Sequence, residues 1–350
     1  MFHKAFSVYV DAFRGLSKEI WLLSSVMLVN RAGAMVLPFL SVYLTQDIGF
    51  SLAQTGWIMS CFGGGSILGA YLGGKLVDRV GFYETQFWTL FLSGFMFIAL
   101  GQVKGYYALC AAVFLTSTVV DAFRPANFAA IAAYSQSDNR TRAVALLRLA
   151  INLGWAIGPA AGGMIAIAYG YEWLFWIDGI TCMAAALFFR AALPKRFLET
   201  EEEEEETGAG IFRGKAHHDK QYLFFLLLAL LNAIAFMQLF STLPVYFKQE
   251  VLLDEGQIGR LMAMNGLIIA LIEMPLIYVL ERRFSPTQII TLGTFMIGLT
   301  YLLFSGLGTG VWVALTAMLM LTFGEILSLP FIATMAMGFT NKRNRGAYMG

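Results

Sequence analysis

Residues 54–81 read QTGWIMSCFGGGSILGAYLGGKLVDRVG, an apolar, glycine-rich run that ends in a charged turn at Asp78-Arg79-Val80-Gly81. As helix, about 20 such residues cross a bilayer. The same design returns 203 positions later. Gln54-Thr55-Gly56-Trp57-Ile58-Met59 aligns with Gln257-Ile258-Gly259-Arg260-Leu261-Met262, Asp78-Arg79 with Glu281-Arg282, and Arg142 with Arg345. A single register kept through helices and loops marks an internal duplication. The chain therefore reads as two related halves of membrane-spanning helices.

Ten apolar stretches follow this pattern, at 20–45, 53–76, 84–103, 106–134, 143–168, 172–193, 221–247, 257–280, 287–307 and 311–337. Hydrophobic residues make up 58% of the chain and charged residues 13%, and the mean hydropathy is +0.67. Soluble domains carry about a quarter charged residues. A net charge of +1 points to no nucleic-acid partner. Of the 24 basic residues, only Lys104, Lys248 and Arg260 fall in loops on one side, and Arg31, Arg124 and Arg148 lie within spans. The rest flank the other side, from Lys4, Arg14 and Lys18 to Lys342, Arg343 and Arg345. The positive-inside rule makes that side, and the N-terminus, cytoplasmic.

Residues 1–193 are expected to form a six-helix bundle with a short interfacial helix at its N-terminus. Residues 194–220, with Glu199, Glu201 to Glu206 and Thr207-Gly208-Ala209-Gly210, read as an acidic cytoplasmic linker too polar to fold. Residues 221–350 read as a second bundle holding about four helices. By the duplication it should hold six, so about 45–55 residues, two spans and a turn, are expected to be missing. His217-His218 have no further ligands at helical spacing, so no metal or cofactor is expected. Cys61, Cys110 and Cys182 are widely spaced in apolar runs, fit no disulfide framework, and read as inert packing residues.

The turn after the second span, Gly73-Gly74-Lys75-Leu76-Val77-Asp78-Arg79-Val80-Gly81, resembles the loop signature Gly-x-Leu-x-Asp-Arg-x-Gly of the major facilitator superfamily. Gly74 and Gly81 suit close helix approach and a tight turn, and Arg142 is a candidate partner for Asp78. Phe82-Tyr83 follow where the family usually continues with Arg-Lys. The resemblance implies a latch that grips the eleventh helix and favours an outward-facing state. The fifth span carries Gly154, Gly158, Pro159, Gly162 and Gly163. Glycines every four residues make a smooth face for close helix packing, and proline permits a bend. This stretch resembles the family's antiporter signature, with Ala145 at the upstream glycine position.

Ionisable residues inside spans are costly and by default mark a solute or ion path. Asp121 and Arg124 share a face of the fourth span. Asn30 and Arg31 lie in the first span, Glu273 in the eighth and Glu325 in the tenth. In the superfamily the first, fourth, seventh and tenth helices line a central cavity, so the resemblance places Arg31, Asp121, Arg124 and Glu325 near one aqueous path. Arg124 resembles a family arginine, but Pro125-Ala126-Asn127 replace the usual Gln-Gly. An acid in poorly hydrated surroundings is suited to carry a proton, because desolvation disfavours its charge, and a paired arginine opposes that tendency. Asp121, Glu325 and Glu273 are thus proton-coupling candidates. Arg31, Arg124, Asn30, Asn232 and Gln238 are substrate or charge-partner candidates. Asp178 and Glu172 read as interfacial at the outer end of the sixth span.

The expectation is an all-α membrane protein with a major facilitator fold, similar to the drug:proton antiporter-like branch and not an enzyme. It would work as a monomer in the plasma membrane, the bacterial inner membrane. It would move a small solute by alternating access, most simply as proton-coupled efflux, since no Gly-x-x-x-x-Gly-Lys-Ser/Thr loop for ATP is present. The alternatives are a proton-coupled nutrient or peptide symporter, with Arg31 holding a carboxylate, and a non-transporting scaffold or sensor.

Overall fold

A computed structural model of the chain describes residues 15–135, 140–196, 220–280, 283–306 and 310–338. The linker glutamates, His217-His218, Arg345 and the Arg142 side chain lie outside the described residues. Helices occupy the positions of all ten expected spans. The first span is α1 (Lys18–Ala32), a break, α2 (Val36–Val42) and a π-helical turn (Tyr43–Asp47). Then come α3 (Leu52–Val80), α4 (Phe82–Gly101), α5 (Tyr106–Tyr134), α6 (Arg140–Tyr169) and α7 (Glu172–Ala192). The seventh span is split into α8 (Lys220–Met237) and α9 (Thr242–Gln249), followed by α10 (Glu255–Leu280), α11 (Pro286–Gly306) and α12 (Val311–Gly338). Among the described residues, seven helical segments are long and apolar enough to cross a membrane by themselves. The remaining helices α3, α4 and α10 have 29, 20 and 26 residues.

The chain divides into two compact units. The first comprises Met1–Thr200 with Asp254–Leu267, and the second Glu201–Leu253 with Ile268–Gly350. The unit boundary thus falls inside α10, between Leu267 and Ile268.

In the first unit, α3 packs along α5 and α4 along α7. Apolar side chains gain little by leaving lipid, so close van der Waals packing between helices must hold such a bundle. Glycine supplies it. A Cβ added at Gly65 would strike the Phe114 carbonyl, one at Gly69 the Thr118 carbonyl and one at Gly73 the Ala122 carbonyl. The offset is 49 residues at each step, so α3 and α5 run parallel in register. Gly74, by contrast, faces open space. The same register sets Cys61 opposite Cys110, although the two lie 49 positions apart in the sequence. The helix pair ends at Gly81, whose φ of +85° is natural only for glycine and turns the chain into α4.

At that end Ile20, Leu23, Met27, Phe82, Phe87, Tyr134 and Phe189 form a buried core. It is tied off by polar contacts. Ser17 caps α1 and donates to the Tyr134 carbonyl at 2.7 Å, and the Tyr134 hydroxyl donates to the Pro194 carbonyl at 2.6 Å. Lys195 pairs with Glu84 and Arg196 with Glu19, both at 2.8 Å.

In the second unit α11 and α12 cross at Gly293 and Gly324, beside a small core of Ile289, Leu327 and Phe331. Asn232 is buried and donates to the Thr294 hydroxyl at 2.8 Å, and Tyr301 donates to the Ala235 carbonyl at 2.6 Å.

Gly69→Ala should lower the unfolding midpoint of the purified protein in detergent, at a cost of about 1–3 kcal/mol for overpacking. Gly74→Ala should leave it unchanged. Equal effects from the two variants would contradict the seam.

Candidate functional site

The site grows from the break in the first span. The helix cannot simply stop inside a membrane protein, because each unpaired peptide group costs several kcal/mol in such surroundings. Asp178 of α7 resolves this. Its side chain is 2% exposed, and its two oxygens accept from the backbone N–H groups of Met35 at 3.0 Å and Val36 at 2.9 Å. A Cβ at Gly33 would overlap Thr181, one turn further along α7. Asn30 donates to the Cys182 thiol at 3.3 Å. The break is therefore held from α7, and Asp178 is a buried clamp and not the interfacial residue that its place near the end of the sixth span suggested.

The far side of the break lies on the glycine face of α6. A Cβ at Gly154 would overlap that of Arg31, one at Gly158 would come 2.9 Å from the Ala34 carbonyl, and one at Gly162 would come 3.0 Å from the Met35 Cβ. The fifth-span motif thus seats the broken first span. An adjoining face of α6 seats the start of α10. There a Cβ at Gly163 would strike the Glu255 carbonyl and one at Gly259 the Pro159 carbonyl. The Tyr171 hydroxyl donates to Glu255 Oε1 at 2.5 Å. Burial first, and then this hydrogen bond, push the Tyr171 hydroxyl well above its ordinary range, so it stays a donor.

The break leaves Arg31 in the last turn of α1, where the helix dipole favours a cation. Its Nε is buried and has no hydrogen-bond partner. Asp121, Arg124 and Asp178 all lie within electrostatic range of its guanidinium. Asp121 sits near the middle of the 29-residue α5. Arg124 Nη2 donates to Asp121 Oδ1 at 2.7 Å, with the Asp121 side chain 13% exposed and that of Arg124 63%. Pro125 has no N–H, so the Asp121 carbonyl lacks its usual helical donor. The pair joins an acid whose side chain is largely shielded to an arginine whose side chain is exposed.

Arg31, Asp121 and Arg124 are therefore brought within electrostatic range of one another and Asp178 joins them, while Asn30 is directed to Cys182 of α7. Glu273, buried in α10, and Glu325, half-buried in α12, belong to the second unit. Gln238 stands at the break between α8 and α9, where it accepts from Thr242 and donates to the Ile234 carbonyl at 3.2 Å. Asn232 is taken up by Thr294, although its Oδ1 is buried without a partner. Asp78 and Arg79 are exposed in the last turn of α3.

A chain of long apolar helices, one of them broken beside a cluster of charged side chains, is the architecture of a polytopic membrane protein. A family model for the Major Facilitator Superfamily matches residues 22–350. The chain belongs to that superfamily, and it is a multi-pass membrane transporter rather than an enzyme. It is 26% identical over 338 residues to a Na(+), Li(+), K(+)/H(+) antiporter of Planococcus maritimus, covering 85% of this chain and 76% of that one. It is 30% identical over 174 residues to the multidrug resistance protein MdtG of Proteus mirabilis, covering 49% of this chain and 42% of that one. In structure it resembles a mutant of the peptide transporter POT solved with sulfate, with TM-score 0.77, 15% identity, and coverage of 96% of this chain and 85% of that chain.

Asp178→Ala should strand two buried N–H groups, each worth about 1–3 kcal/mol. The expected result is a clear fall in unfolding midpoint in detergent, with Asp178→Asn, which keeps an acceptor, falling less. A midpoint equal to wild type for Asp178→Ala would contradict the clamp.

Proposed function

We propose that the protein is a secondary active transporter that moves a small solute by alternating access, exchanging it for protons in the direction of efflux. The supporting observation is the Asp121–Arg124 pair at 2.7 Å, in the middle of a spanning helix and within electrostatic range of Arg31. Two arginines, Arg31 and Arg124, share the field of Asp121 there, and Asp178 also lies within range of Arg31. When Asp121 takes a proton, its hold on Arg124 weakens, and both arginines are left to seek an anion or water. When Arg124 re-forms the pair, the proton leaves. Such an exchange links proton occupancy to the position of a long side chain without any new component.

The names of the relatives agree with the direction: one is an antiporter that uses protons and another a multidrug resistance protein. The loop charges support a cytoplasmic N-terminus, and the bacterial relatives support an inner-membrane location. We read it as a monomer. A second reading, proton-coupled uptake of a carboxylate-bearing solute, draws on the buried and unpartnered Arg31 Nε. Arginine binds a carboxylate through two parallel N–H donors.

In proteoliposomes, an imposed pH gradient should drive flux of ethidium or sodium by the wild type. Asp121→Asn should abolish this driven flux and leave solute counterflow intact. Driven flux that survives in Asp121→Asn would remove Asp121 as the proton carrier. Driven uptake of benzoate in place of efflux of the cations would favour the second reading.

A further inference from the structure

Cys61 of α3 and Cys110 of α5 stand opposite each other on the glycine seam. The offset that matches Gly65 with Phe114, Gly69 with Thr118 and Gly73 with Ala122 matches Cys61 with Cys110 one turn earlier. The seam is tight where glycine allows it. A Cβ on Gly69 would lie 3.0 Å from the Thr118 Cα, and one on Gly73 would lie 2.7 Å from the Ala122 Cα. Beyond the cysteines the two segments are still together, since the Phe50 and Tyr106 rings meet edge to face with centroids 5.7 Å apart. The thiols are thus bracketed by contacts on both sides, and they lie within electrostatic range of each other. Both are free and half-buried, whereas Cys182 is buried. Among the described residues, no group of three or more His, Cys, Asp or Glu side chains gathers to hold a metal ion. Two thiols without further ligands suit sulfur–sulfur chemistry better than coordination.

A disulfide needs Cα atoms about 4.4–6.8 Å apart. Parallel helices whose backbones touch one turn away offer such a separation with little movement. We propose that Cys61 and Cys110 are a dithiol that closes to an intramolecular disulfide, stapling α3 to α5. With an organic disulfide as oxidant, the Cys61 thiolate attacks one oxidant sulfur, forms a mixed disulfide and expels one thiol. The Cys110 thiolate then attacks the Cys61 sulfur and expels the second. Two protein thiols are oxidised, and one oxidant disulfide is reduced to two thiols. The order of attack can equally be reversed. Both helices start at this end, which is the outer side in the orientation proposed above, where disulfides persist. That placement rests on the orientation, but the chemistry does not.

The test uses the full chain, purified in detergent and treated with the membrane-permeant 4,4′-dithiodipyridine. Peptide mass spectrometry should find the Cys61 and Cys110 peptides joined, two hydrogens lighter than their sum. After denaturation and removal of the oxidant, Cys182 should stay reactive to maleimide. In Cys61→Ser, Cys110 should carry a stable thiopyridyl adduct instead. Thiopyridyl adducts on both Cys61 and Cys110 of the wild type, with no joined peptide, would overturn the proposal. So would finding both thiols unreacted. Neither result depends on solute or on proton coupling.

Discussion

Two backbone N–H groups, on Met35 and Val36, lie where the first span breaks, and one buried carboxylate serves both. The cluster depends on this arrangement. A continuous helix through residues 33–35 would need no acceptor from α7 and would carry Arg31 in mid-helix, its charge unfavoured by any helix terminus. With the break, Arg31 occupies a helix C-terminus close enough to sense Asp121, Arg124 and Asp178. The clamp is expensive to bury, because a carboxylate taken from water must find strong donors or lose its charge. Its two peptide donors are fixed by the backbone and so provide that compensation without side-chain entropy.

Around the clamp, close packing does what hydrophobic burial does in a soluble domain. Gly154, Gly158 and Gly162 let α6 lie against the break itself, and Gly65, Gly69 and Gly73 lock α3 to α5. The helix that bears Asp121 is therefore held rigidly along one side. Its Asp121–Arg124 face is left with an exposed arginine. In the coupling proposed above, the acid is the fixed member of the pair and the long arginine the one that changes partners.

Much of this could be read from the residues in order. The spans, the shared face of Asp121 and Arg124 and the smooth face of α6 all follow from local spacing, and local spacing is what a helix preserves. Asp178 escaped because its role is set by a partner 142 to 143 positions away. Its position near a span end, beside Trp176 and Tyr171, looks like that of any interfacial acid. The cue lay in the first span, where Gly33 and Pro38 interrupt a long apolar run and imply a break in need of an acceptor. Cys61 and Cys110 escaped for a related reason. Thiols in apolar runs carry no pattern until the register of two helices is known. The polarity of Gln238 and Asn232 suits either a solute contact or polar glue between helices, and in the structure they bond at the α8–α9 break and to the Thr294 hydroxyl.

Whether Asp121 gives up Arg124 and takes a proton within the membrane can be measured without knowing the solute. Dicyclohexylcarbodiimide enters apolar regions and reacts with protonated carboxyl groups. Applied to the purified protein over a range of pH and read by peptide mass spectrometry, it should modify Asp121, faster as the pH falls. In Arg124→Gln, where the ion pair is gone, the same reaction should already proceed at higher pH. An Asp121 that stays unmodified at every pH, in both proteins, would show a static ion pair and no proton site.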